Sequence, residues 1–168
     1  ARRLTVVRPL YEKKAHLKTE LEAKELLEHS WKVSLNKLPY SYAPDWLAFD
    51  GDDARAWVEY KNRKHRHDTF PNYLVSLRKW MSLRDLSEKT MLPSLLTVEF
   101  TDTMLCYRHY PNDISIIHIA WAGRTDRGDE QDMEPCAMIP MRLFTPFTEK
   151  GIREKRQGGG SQVLGGKP

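Results

Sequence analysis

The chain has 168 residues, 40% hydrophobic and 30% charged, with a net charge of +4 at neutral pH. That is enough apolar material for one core. The mean hydropathy of −0.64, with no apolar run longer than Ile114 to Ala122, argues against a helix spanning a bilayer and points to a soluble protein.

The positive charge is concentrated. Lys61 to Lys89 carries eight Lys or Arg against three Asp or Glu, the kind of surface on which a polyanion would lie. Ala1-Arg2-Arg3 is followed by too short an apolar stretch for a secretory signal, and a start at Ala1 instead of Met points to processing or trimming. Cys106 and Cys136 stand apart from any zinc-type spacing and read as buried free thiols in a reducing cytoplasm.

Taken in order, Leu10 to Trp31 has helical period, strong helix formers and no Gly or Pro. At about 100° per residue, Leu17, Leu21, Ala23, Leu27 and Trp31 fall on one arc. Glu20 lies inside that arc, where a carboxylate is costly unless it meets a cation or a donor. It is therefore the helix glutamate to follow, either as a site residue or as the partner of a lysine at the helix rim. Val33 to Ala43 reads as an irregular strand or loop.

Two short apolar runs, Trp46 to Phe49 and Ala54 to Tyr60, flank Asp50-Gly-Asp-Asp53, a hairpin signature. Side chains alternate along a strand, so Glu59 and Lys61 share a face and Tyr60 takes the other. With the turn centred on Asp52, Asp45 lies directly across from Glu59. A two-residue Gly51-Asp52 turn would place it across from Val58, on the wrong face. An odd-numbered loop is therefore expected. Opposed carboxylates repel unless something sits between them, and a divalent cation such as Mg²⁺ or Mn²⁺ is the natural filler. Two carboxylates, a cation and the Lys61 ammonium make a site for cutting a phosphodiester, with the lysine orienting or deprotonating water or neutralising charge on the phosphate.

Pro44-Asp45, thirteen intervening residues, then Glu59-Tyr60-Lys61 resembles the PD-(D/E)xK, restriction-endonuclease-like nuclease superfamily, closest in pattern to the archaeal-type Holliday junction resolvases. The resemblance covers roughly residues 15 to 110. It implies that Asp45 and Glu59 hold the metal with help from the Tyr60 carbonyl, that Glu20 completes the shell, and that Lys61 assists the attacking water. It further implies DNA cleavage leaving a 5′ phosphate and, by analogy with resolvases, a homodimer. Ser34, Ser41 and Tyr42 are candidate phosphate contacts on the same ground.

After the hairpin, Arg63, Lys64 and Arg66 form a basic loop for phosphate. His65, His67 and Asp68 lie within it and are read as part of that loop in preference to a zinc cluster. Pro71 is expected to open a second helix reaching about Ser87, with Tyr73, Leu74, Leu77, Trp80 and Met81 on its core face and Arg78 and Lys79 turned toward DNA. Leu95–Phe100 and Met104–Tyr110 flank a Thr101-Asp102 turn, and Ile114–Ala122 and Cys136–Phe144 flank a polar loop.

The expected fold class is α/β, a restriction-endonuclease-like core with a mixed central β-sheet flanked by helices and an added C-terminal hairpin. That hairpin would serve as an edge extension or a dimer surface. Residues 1–147 form one domain and 148–168 a flexible basic tail holding six of the nine glycines. The expected activity is metal-dependent DNA cleavage, selective for junctions, flaps or ends, in the cytoplasm of a prokaryotic or virus-infected cell. The rivals are a non-cutting nucleic-acid-binding protein on the same fold and an RNA-cleaving enzyme.

Overall fold

The computed structural model describes residues 14–109, 116–123 and 133–147, so the basic tail lies outside the described residues. Helix α1 (Lys14–Trp31) is followed by strands β1 (Ser34–Lys37), β2 (Trp46–Asp50), β3 (Asp53–Asn62) and β4 (Asn72–Ser76). Helix α2 (Leu77–Thr90) leads to β5 (Ser94–Glu99), β6 (Met104–Arg108), β7 (His118–Gly123) and β8 (Met133–Pro140), with β9 (Thr145–Pro146) last. No helix among the described residues is long and apolar enough to cross a membrane.

The main sheet has the order β1-β2-β3-β5-β6-β9. It is mixed, as expected: β3 and β5 run parallel and the other neighbours antiparallel. The alternating faces of its strands feed two cores. One gathers Ala23, Leu27 and Trp31 of α1 with Leu35, Trp46, Ala48, Ala56, Val58 and Tyr60. The other holds Trp80 of α2 with Leu96, Val98, Tyr107 and the second sheet. β5, buried on both faces, reads as a continuous apolar run for that reason. Both helices stop on a left-handed residue, Lys32 at φ 54° and Met91 at φ 57°, where glycine is more usual.

Several expectations are corrected. Leu21 is exposed, so the buried stripe of α1 is narrower than the arc drawn for it. The second helix starts at Leu77, not Pro71. Residues 72–76 are a strand with alternating burial, Tyr73 and Val75 inward and Leu74 outward, paired with β8 through Tyr73↔Ile139 and Val75↔Ala137. Tyr73, Leu74 and Leu77 also fit a helical spacing, and only a partner some sixty residues away, invisible to local periodicity, decides between the two. Within α2, Trp80 and Leu83 are buried and Met81 is exposed. Finally, the added hairpin does not extend the main sheet. β7 and β8 recruit β4 into a separate three-stranded sheet of order β4-β8-β7, which covers the α2 face of the molecule through Ala137 and Ile139.

The hairpin that carries the acidic residues also differs in its turn. Asp50 pairs with Asp53, so the loop is the two-residue Gly51-Asp52, with Gly51 at φ 61° where a side chain would be strained. The expectation of an odd-numbered loop was wrong. A bulge corrects the register instead: Phe49 pairs with Ala54 but Ala48 with Ala56, leaving Arg55 as the extra residue. Beyond it Trp46 pairs with Val58 and ends the ladder, and Asp45, just outside β2, donates its N–H to the same Val58 carbonyl.

Candidate active site

Asp45 sits immediately before β2. Its backbone is pinned on both sides, by Asp45 N–H donating to the Val58 carbonyl and Leu38 N–H donating to its own, each at 2.9 Å. Its Oδ2 accepts from the Tyr60 backbone N–H at 2.9 Å, which ties the carboxylate to the strand that carries Glu59. Its Oδ1 lies 3.7 Å from Lys37 Nζ.

Glu59 is in the middle of β3, under α2, with 0% exposure. A lone carboxylate there would be prohibitive, and it is matched by two ammonium groups. Lys61 Nζ lies 2.5 Å from Oε1, and Lys79 Nζ, arriving from the first turn of α2, lies 3.1 Å away. Lys79 also donates to Oε2 at 3.1 Å. Burial pushes the Glu59 carboxyl up from its ordinary value, against the pull of Lys61 and Lys79 and with help from the Asp45 charge. For Lys61, burial favours losing the proton. The Glu59 and Asp45 carboxylates outweigh it, and the pKa lies above that of an ordinary lysine. Lys61 is therefore an ammonium at neutral pH, suited to donating a hydrogen bond and neutralising charge, not to removing a proton from water.

Glu20 emerges from the buried stripe of α1 and pairs with Lys37 of β1. The same lysine approaches Asp45 and lies 5.8 Å from the centre of the Trp46 ring. Of the two alternatives for Glu20 the structure shows the pairing with a lysine, and that lysine also approaches Asp45. Lys37 was missed by sequence reasoning. The available signal was its parity with Leu35, which puts both on the α1 side of β1. Glu20, Asp45 and Glu59 do not converge on a single point. Among the described residues only His67, Asp68 and Asp102 bring three ligand atoms within 4.8 Å of one another.

That last group is an ion-pair network. His67 Nδ1 lies 2.8 Å from Asp102 Oδ2, and the Arg66 guanidinium lies 3.1 Å from Asp68 and 3.5 Å from Asp102. Arg66 supplies the positive charge that a metal would. Hydrogen bonds from its partners keep the Asp68 carboxyl below the usual range, and contacts with His67 do the same for Asp102 against the effect of its partial desolvation. His65 is packed between Phe70 and Phe100, with ring centres 5.1 and 5.6 Å away.

The Tyr60 side chain points away from Glu59, as alternation requires, and its hydroxyl donates to the Glu99 carboxylate. The basic residues expected to contact phosphate separate into distinct environments. Lys64 and Arg78 are exposed. Arg63 stacks over Tyr73 at 5.0 Å, Arg66 belongs to the network just described, and the half-buried Lys79 donates to Glu59. Ser34 and Tyr42 are exposed at the surface near the site-bearing hairpin.

No curated protein gives a match to the chain. Among solved structures it is similar to Hjc of Archaeoglobus fulgidus, a Holliday junction resolvase from an archaeal hyperthermophile. The identity is 15%, the match covers 73% of this chain and 93% of that one, and the TM-score is 0.46. The model of the family described as "Phage putative PDDEXK endonuclease" matches residues 6–147. That span takes in every element from α1 to β9 together with Asp45, Glu59 and Lys61, and the chain belongs to this phage PDDEXK endonuclease family.

Proposed function

We propose that the protein is a divalent-metal-dependent endonuclease that hydrolyses DNA phosphodiester bonds, selective for branched or ended structures. The observation that carries it is the bulged hairpin, where the Asp45 carboxylate is held on the Tyr60 N–H, near enough for its charge to act on Glu59, with Lys61 beside them. The residues fit a hard cation. The Asp45 and Glu59 carboxylates, on adjoining segments and acting on one another electrostatically, offer the oxygen ligands such an ion takes. Asp45 and Glu59 would hold Mg²⁺ or Mn²⁺ with the Tyr60 carbonyl, and Glu20 would stand behind Asp45 through Lys37.

The bound metal would supply Lewis-acid stabilisation of the phosphate and a more acidic water. The chain's own residues do the rest. The Tyr60 N–H fixes the Asp45 carboxylate, and the Lys61 ammonium donates to charge developing on the phosphate. A four-way junction presents two symmetric cuts, so a form acting on junctions would work as a homodimer.

The test is cleavage of labelled duplex, single-stranded, flap and four-way-junction DNA, with an RNA counterpart, in Mg²⁺, Mn²⁺ or EDTA. Metal-dependent cutting that disappears in Asp45→Asn while binding persists is the expected result. Binding without cutting under every metal would sink the enzyme and leave a nucleic-acid-binding protein.

Two further outcomes follow from the geometry. Exposed Lys64 and Arg78 are placed to meet phosphate, so log affinity should fall linearly with log salt. The pair Lys64→Ala, Arg78→Ala should flatten that slope by about 1.8, roughly 0.9 for each contact. An unchanged slope in fluorescence anisotropy would exclude these two. Metal binding requires the ionised form of Glu59, whose pKa burial raises above that of an ordinary glutamate. The carboxylate is populated only above that raised value. Mn²⁺ affinity should therefore decline with acidification at a pH higher than an ordinary glutamate would give. Calorimetric titrations between pH 5 and 8 (about the range of interest) would reveal a decline confined to lower pH if Glu59 is not a ligand.

A further inference from the structure

Lys79 stands in the first turn of α2, apart from the hairpin in sequence, yet its ammonium touches both halves of the carboxylate site. It donates to the carbonyl of Ala43, two residues before Asp45, and to Glu59 Oε2 at 3.1 Å. We propose that Lys79 is a positioning residue of the cleavage site: by holding Glu59 and the Ala43-Pro44-Asp45 segment with one group, it sets the separation at which the two carboxylates share a cation. This assignment rests on the metal-nuclease function proposed above.

Asp45 itself is tied by backbone bonds to Val58 and Leu38, and Lys79 adds a hold on the residues just before it. β2 begins only at Trp46, and Pro44 has no N–H to donate, so the approach to Asp45 lies outside the strand ladder. The anchor is itself held. α2 follows directly from β4, whose last residue Ser76 pairs with Cys136 and donates from Oγ to Glu134 at 2.8 Å. The second sheet, which adds nothing to the Asp45–Glu59–Lys61 set, acquires a role this way: it fixes the start of the helix that carries Lys79. A site held within a fraction of an ångström by its supporting residues is what metal chemistry requires.

A positioning role and a bare counterion role predict opposite signs. A positive charge beside a metal ligand repels the metal, so removing a mere counterion tightens cation binding. Removing a positioning residue loosens it. The experiment is calorimetric titration of Mn²⁺ into the full chain as wild type, Lys79→Met and Lys79→Arg, with DNA affinity measured in Ca²⁺ and single-turnover cleavage at saturating Mn²⁺.

Lys79→Met is expected to weaken Mn²⁺ binding about tenfold and to slow cleavage, with DNA affinity unchanged. Lys79→Arg, which keeps the charge and the donors, should restore most of both. Equal or tighter Mn²⁺ binding by Lys79→Met overturns the proposal, as does a loss of DNA affinity with Mn²⁺ binding intact, which would make Lys79 a phosphate contact. Should Lys79→Met fail to fold by circular dichroism, Lys79→Gln takes its place with the same expected sign. A wild type that binds Mn²⁺ but cuts nothing overturns the nuclease and still returns a sign for Lys79. A wild type that binds no Mn²⁺ overturns both.

Discussion

Glu59→Ala is expected to lower cleavage at least about 10²-fold and folding stability by about 3 kcal/mol. The first effect follows from removing one of the two carboxylates of the site. The second follows from what is left behind: Lys61 and Lys79 lose the charge between them and repel one another inside the fold. Breaking a buried pair from one side is costlier than never having made it. The loss falls at the lower end of the usual range because Lys61 and Lys79 retain 35% and 29% side-chain exposure and can draw in water. Urea unfolding of Glu59→Ala, Lys79→Met and the double variant gives the coupling directly. The double variant should recover part of the stability lost in Glu59→Ala, without recovering cleavage. Strict additivity of the two single changes would mean that Lys79 and Glu59 do not interact, and the account of the site would fail with it.

The stability lost in Glu59→Ala is that of a charge cluster, not of a carboxylate alone. A glutamate with no exposed surface is by itself a poor way to stabilise a sheet, and only replacing it together with both lysines by apolar groups would remove that cost. The cost is offset locally by two lysines from different elements, one from the same strand and one from a helix anchored by a second sheet. Expensive, fully compensated polar groups in a core are where sequence-level rules are expected to break for functional reasons.

That contrast also explains what could be read from the chain alone. Strands β2, β3, β5 and β6 and helix α1 announce themselves by local period, and parity put Glu59 and Lys61 on one face. The approach of Asp45 to them was expected from an odd-numbered loop that the chain does not have. A two-residue loop would put Asp45 on the wrong face, and the bulge at Arg55 that cancels the error has no signature in an Ala-Arg-Ala run. Residues 72–76 were misread because the strand identity of Tyr73 and Val75 is conferred by Ile139 and Ala137. Long-range pairing was likewise what hid Lys37 and the true place of Lys79: each is an ordinary surface lysine by composition, and each becomes a site residue only when another element comes to face it.

The second large effect concerns acid stability and centres on His109, away from the cleavage site. Its ring is buried between Trp80 and Tyr107, with centres 5.7 and 5.0 Å away, and Nε2 has no partner among the described residues. Burial, reinforced by the Arg84 charge, lowers its pKa from 6.5 to about 4. In the unfolded chain the imidazole takes its proton near pH 6.5, so between there and about pH 4 the unfolded state binds more protons than the folded one. Stability from this group is therefore lost as pH falls through that window, by about 3 kcal/mol in all. Glu59 works in the opposite sense, since a carboxyl raised by burial favours the folded state on protonation. The wild-type curve mixes the two, and a variant is needed to separate them. His109→Phe keeps a ring of similar shape against Trp80 and Tyr107 and cannot titrate. In urea unfolding from pH 7.5 to 4 (roughly spanning the window), the variant should gain on the wild type progressively, by about 3 kcal/mol at the acid end. A difference that stays constant across the range would mean that His109 accepts its proton without leaving its pocket. The acid sensitivity of the fold would then belong to the carboxylates.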